Sequence, residues 1–111
     1  MNAQEIEEQI RKQLALLESN IDEELTMIQQ GLVPPEPLTV ILRLVEEGRV
    51  RLQQEHVWLV WTEQSGIEDG YQIIYNPDKD LFGITTTGFP GEDGLVLLGY
   101  CGDFLESFRA L

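Results

Sequence analysis

The chain has one cysteine, Cys101, and one histidine, His56, the two residue types from which a thiol nucleophile and its base can be assembled. Tyr100-Cys101-Gly102-Asp103 sets the thiol just ahead of an expected helix N-terminus, where a thiolate is favoured. Nothing in the order of segments brings His56 to it, however, and most lone cysteines are buried and inert. Cys101 is therefore expected in the core or at a strand end, with no catalytic residue assigned. A single cysteine also excludes an intramolecular disulfide and a cysteine-based zinc site.

Carboxylates come in pairs in three expected loops: Glu68 with Asp69, Asp78 with Asp80, and Glu92 with Asp93. Asp78-Lys79-Asp80 has the opening of a calcium loop but lacks the downstream Gly and bidentate Glu that such a loop needs. A carboxylate pair for glycoside hydrolysis needs a sugar cleft, which a domain this small rarely has. The glycines form neither a dinucleotide nor a Walker-type phosphate cradle. No metal and no cofactor is expected, and Glu68, Asp69, Glu92 and Asp93 stand as candidates for binding. Trp58 and Trp61 join them: their odd spacing on one strand points them to opposite faces, one toward the core and the other exposed, under the first helix or in an interface, unless a sheet covered on both sides buries both.

Twenty acidic and seven basic residues give a formal net charge of −13. The excess runs along the whole chain, with 10 acidic and 3 basic residues in 1–47 and 10 and 4 in 48–111. Such a surface repels nucleic acid, whose affinity for proteins comes largely from cations that release counterions. Anionic membranes are disfavoured for the same reason. A basic protein partner is favoured through steering, although the charge would also serve solubility alone. Arg43, Arg49 and Arg51 could form the edge of a winged helix, but they stand among many carboxylates.

These residues have to be positioned by the folded elements of a chain of 111 residues, about one domain. Ile6, Ile10, Leu14, Leu17, Ile21, Leu25 and Ile28 recur at spacings of 4, 4, 3, 4, 4 and 3, which predicts an amphipathic helix over 3–30 closed by Gly31 and Pro34-Pro35. At ~1.5 Å per residue a helix that long would be roughly 42 Å and would overhang its own domain. Its stripe is then completed by a second copy, in a homodimer through Ile6, Ile10, Leu14, Leu17 and Ile21. The alternatives are a break near Ser19-Asn20, where Asn20 and Glu23 resemble a capping box, or packing on the chain's own sheet. Leu38, Ile41, Leu42 and Val45 predict a second helix over 37–47 that Gly48 ends.

From Arg49 the period falls to two. Strands are expected at 49–53, 56–63, 71–75, 81–87 and 95–100, and the short connections imply an antiparallel sheet of four or five strands within 49–100. Asp103, followed by Glu106 and the apolar Phe104, Leu105 and Phe108, predicts a helix over 103–110 packed on the sheet. The fold class is α+β, in a single domain spanning 1–111. The N-terminus lacks the pattern of a signal peptide, no apolar run is long enough to span a bilayer, and a cytoplasmic location is expected.

The final strand followed by Gly102-Asp103-Phe104-Leu105-Glu106-Ser107-Phe108 resembles the tail of a group of bacterial immunity proteins, over that short stretch alone. With no catalytic constellation and a charge of −13, the expected function is that of a small acidic binding or regulatory protein working through protein–protein interaction, as an inhibitor or immunity-type protein for a basic partner. The alternatives are a small-molecule sensor and an enzyme using Cys101 or the loop carboxylates.

Overall fold

The computed structural model describes residues 2–15, 22–63, 70–87 and 95–111. Helices α1 (Ala3–Ala15) and α2 (Asp22–Gly31) precede five strands: β1 (Leu32–Glu46), β2 (Arg49–Thr62), β3 (Tyr71–Asn76), β4 (Leu81–Thr87) and β5 (Leu95–Gly102). A last helix, α3 (Phe104–Arg109), ends the chain. The fold is α+β, with a mixed five-stranded sheet that closes into a barrel in the order β1-β2-β3-β4-β5. Consecutive strands are antiparallel, so directions alternate and the first and fifth strands run the same way. Closure is thus parallel, through Val40–Leu95, Ile41–Val96 and Leu42–Leu97. That replaces the antiparallel sheet expected from the short connections, which govern neighbours in sequence and not the seam.

The expected helix over 37–47 is instead the greater part of β1. Leu38, Ile41, Leu42 and Val45 fit a helical period, but Leu38, Val40 and Leu42 equally fit a period of two, and it is these three that face the barrel interior. The β-branched run Thr39-Val40-Ile41 favours the extended chain, and an antiparallel ladder to β2 from Glu36–Leu59 to Glu46–Arg49 holds it there. Pro34, Pro35 and Pro37 lie in the irregular stretch between the Leu32–Trp61 and Glu36–Leu59 pairs or just past it, where a missing N–H is tolerated. Gly48, expected to stop a helix, makes a two-residue turn with Glu47. Both have positive φ, 50° and 76°, as in the hairpin turn whose twist matches its strands. The two strands expected at 49–53 and 56–63 are one strand, β2.

Two apolar clusters lie on opposite faces of the sheet. The barrel interior holds Val40, Val57, Ile74 and Leu97, with Leu38, Leu42, Leu59, Leu95 and Tyr100 packed against them. A five-stranded barrel has little room inside, and Gly83 meets that limit: a Cβ there would come within 2.7 Å of the Gly99 carbonyl oxygen. The outer face of β2, β3 and β4 presents Val60, Trp61, Ile73, Tyr75 and Phe82, which the helices cover with Ile6, Ile10, Ile28 and Phe104. Asp103 caps α3, its carboxylate accepting from the Glu106 N–H at 2.7 Å as expected. Gln13 of α1 also accepts from the Phe104 N–H at 2.8 Å, and Arg109 pairs with Glu24 of α2 at 3.0 Å.

Ile6 and Ile10, expected at a helix–helix interface, are 0 and 4% exposed within the single chain. They pack on the chain's own sheet, with Leu14 half-buried beside them. Leu17, Ile21 and the expected break near Ser19-Asn20 lie outside the described residues. Among the described residues no helix is long and apolar enough to cross a membrane.

Candidate functional site: a ribbon that leaves the barrel

Strands β1 and β2 have 15 and 14 residues, against 6, 7 and 8 for the other three. β5 pairs with β1 only at Val40–Leu42, and β3 joins β2 only from Trp58 onward. Residues 43–46 and 49–52 therefore pair, among the described strands, only with each other, and 53–57 pair only with Leu38–Leu42 of β1. They form a two-stranded ribbon that runs past the barrel to the Glu47-Gly48 turn.

Directly opposed residues of an antiparallel ladder point to the same face. The outer face of the hairpin thus pairs Pro37 with Trp58, Thr39 with His56, Ile41 with Gln54, Arg43 with Leu52 and Val45 with Val50. Toward the tip this face is apolar and bare: Val45, Val50 and Leu52 are 76, 66 and 58% exposed. At its base a cleft of about 390 Å³ is bounded by Pro37, Thr39, His56 and Trp58 on the hairpin and by Pro77 and Asp78 on the β3–β4 turn. His56 Nδ1 and Thr39 Oγ1 share a hydrogen bond at 3.3 Å there.

The ribbon also differs in charge. Residues 43–52 carry three arginines (Arg43, Arg49 and Arg51) and two carboxylates (Glu46 and Glu47), a net +1. The remaining four cations and eighteen carboxylates leave −14 on the rest of the chain. On the ribbon's other face Arg51, Gln53 and Glu55 follow one another along β2, with side-chain hydrogen bonds of 3.5 Å between neighbours. Glu55 ends this row at the barrel mouth, 3.9 Å from Lys79.

A polar network secures the turn at the ribbon's base. The Tyr75 hydroxyl donates to Asp80 at 2.6 Å, and Asn76 donates to the Tyr100 hydroxyl at 2.8 Å. Burial, the hydrogen bond to Asp80 and that carboxylate's charge together push the Tyr75 phenol up to about 12. Burial also pushes Tyr100 up, against a lowering by the Asn76 hydrogen bond. Lys79 lies over the Tyr100 ring at 5.5 Å from its centre. These contacts hold the turn that flanks Trp58 and His56.

The two tryptophans share a face, contrary to their odd spacing. A register shift between Leu59 and Trp61 pairs Leu59 with Ile74 and Trp61 with Ile73, leaving Val60 as the extra residue of a bulge. The bulge reverses the alternation. Trp61 is therefore core: it is 3% exposed, its Nε1–H donates to the Ile28 carbonyl at 3.0 Å, and it meets Phe108 edge-on at 5.5 Å. Gly31 allows this approach, since a Cβ there would collide with Trp61 Nε1. Trp58 is half-buried, packed on one side against the helix-covered cluster and lining the cleft with the other. Glu68, Asp69, Glu92 and Asp93 lie outside the described residues.

Cys101 is half-buried near the end of β5 beside α3, and the contact His56 makes on the hairpin is with Thr39, its Nδ1 meeting Thr39 Oγ1. Among the described residues no three His, Cys, Asp or Glu side chains converge. A second cleft of about 440 Å³ runs between α1 and the start of β1, with Ile10, Leu14, Leu32 and Pro35 in its wall and Glu7 and Arg11 at its rim.

The ribbon itself is what sequence reasoning missed. Its signal was present: apolar residues alternate on both sides of Glu47-Gly48, and an X-Gly pair between alternating runs marks a two-residue hairpin. Comparison of the chain with models of protein families, with curated proteins and with solved structures gives no match.

Proposed function

We propose that this chain is a non-catalytic binding protein that works through protein–protein contacts, with the β1–β2 ribbon as its docking element and the acidic body as the surface that draws in a basic partner. The observation that carries this reading is the bare apolar face of Val45, Val50 and Leu52 on a ribbon outside the barrel. Two strands alone are marginal in water, and apolar side chains clustered away from the core mark interaction sites. The −14 of the remaining chain supplies long-range steering toward a cationic surface. Trp58, at the base of the same face, has the residue type and the half-buried setting of an interface anchor. An inhibitor or immunity-type role for a basic target is the form this takes.

The test is calorimetric titration of a panel of small basic proteins at low and physiological salt, with the intact chain and with Val50→Ser/Leu52→Ser. The expected result is a partner whose affinity falls with salt and falls by a further factor of about ten in the variant, the worth of roughly 1.4 kcal/mol of contact. A panel that binds both chains equally at every salt concentration refutes the reading.

The cleft between α1 and β1 favours a second reading, a sensor for a small apolar molecule. A ligand screen that raises Tm, and a Leu14→Trp variant that abolishes the rise, would establish it.

A further inference from the structure

We infer that a second copy of this chain joins the outer backbone edge of β2, in a two-fold antiparallel pairing centred on Leu52 that leaves the apolar face of Val45, Val50 and Leu52 to the basic partner. The inference rests on the reading of the ribbon as an interaction element and assigns that element a partner and a register.

The backbone supplies the first argument. Glu46 and Arg49 flank a two-residue turn and face each other across the ladder, so they exchange both hydrogen bonds. Alternation then aims the N–H and C=O groups of Val50, Leu52 and Gln54 away from β1. Among the described residues no strand meets that edge before Trp58. An open edge with exposed apolar side chains is a template for pairing.

Register supplies the second. Pairing about Leu52 sets Leu52 against its own copy and Val50 against Gln54 in the hydrogen-bonded pairs. Arg51 then faces Gln53, and Arg49 faces Glu55 of the second copy, in the closer non-bonded pairs where opposite charges help. The register centred on Arg51 sets that cation directly against itself. The register centred on Gln53 needs the edge at His56, where Pro77 and Asp78 stand against the strand. Of the three, only the Leu52 register joins unlike charges along an edge that is open.

Charge supplies the third. Two chains of −13 repel each other, and body-to-body contact would press like charges together. Ribbon-to-ribbon pairing instead joins two segments, 43–52 of each copy, that carry a net +1 apiece. At ~3.3 Å per residue it holds the two Val57 positions, where the bodies begin, roughly 33 Å apart along the strands. That is about four times the screening length at physiological salt.

The test is sedimentation equilibrium of the full chain from about 5 to 200 µM, a range in which a micromolar dimer declares itself by mass action. The intact chain is expected to dimerise. Leu52→Pro removes an N–H that the ribbon's own ladder does not use, and is expected to give a folded monomer with an unchanged circular dichroism spectrum. Arg49→Glu and Glu55→Arg are each expected to weaken the dimer about tenfold or more, because each opposes like charges. Mixed one to one they are expected to recover it, since both cross-strand pairs are then Glu with Arg. An intact chain that stays monomeric up to about 200 µM overturns the inference, as does a dimer indifferent to Leu52→Pro or a mixture that fails to recover. A monomer that still binds a basic protein through Val50 and Leu52 overturns the dimer alone and leaves the docking reading standing.

Discussion

The two ends of strand β2 are built from similar residues and are put to opposite uses. From Val57 to Trp61 its side chains are held on both faces, by the barrel interior on one and by the three helices on the other. From Arg49 to Gln54 the same strand pairs, among the described strands, with β1 alone. Val60 is fully buried, whereas Val50 is 66% exposed, although both are valines in extended backbone. What separates them is how many layers the fold stacks on each stretch. A valine left bare on a ribbon adds nothing to the stability of the body. Its contribution is to whatever covers it.

Removing Trp61 breaks the buried end most severely. Trp61→Ala deletes the edge-on contact with Phe108 and the hydrogen bond to the Ile28 carbonyl, and should cost about 3–5 kcal/mol in urea unfolding, the range for a buried aromatic truncated to alanine. Gly83→Val comes next. Its side chain would press on the Gly99 carbonyl, Tyr100 and Leu97 inside the barrel, and overpacking of that kind costs about 1–3 kcal/mol. Asp103→Ala removes the cap of α3 and should cost ~1 kcal/mol.

A subtler probe lies at the turn between the two ends. In the folded chain the Tyr75 phenol is pushed up to about 12, above the ordinary tyrosine value. The unfolded chain therefore releases the phenolic proton first, and stability is expected to fall as pH rises through that window while remaining flat just below it. Absorbance titration should show the late phenol, and Asp80→Asn should bring its midpoint down by removing the carboxylate that accepts from the hydroxyl. A Tyr75 that titrates unchanged in Asp80→Asn breaks the link between this network and the turn beneath the ribbon. The smallest effect on folding belongs to the free end. Val50→Ser/Leu52→Ser should move monomer stability by less than about 0.5 kcal/mol while weakening association with a basic partner about tenfold. A large loss of stability in that variant would mean that the ribbon serves the fold after all.

The sequence by itself determined the features that depend on neighbours in the chain. The turn at 76–80, the cap at Asp103, the strands after Tyr71 and the helical stripe from Ile6 each rest on residues within a few positions of one another. The charge of −13 needs no fold at all. The tertiary structure decided the rest, because each remaining question turned on a contact between distant residues. Leu38–Val45 satisfies both periods, and the ladders to β2 and β5 hold it as a strand. Trp58 and Trp61 face the same way only because β3 imposes a bulge between them. Ile6 and Ile10 form an amphipathic stripe whatever covers it, and the uncovered face of β2–β4 is what receives them. The ribbon exists because β3 and β5 are too short to follow β1 and β2 to their tip, a difference in length that local patterns carry but only strand pairing turns into a surface.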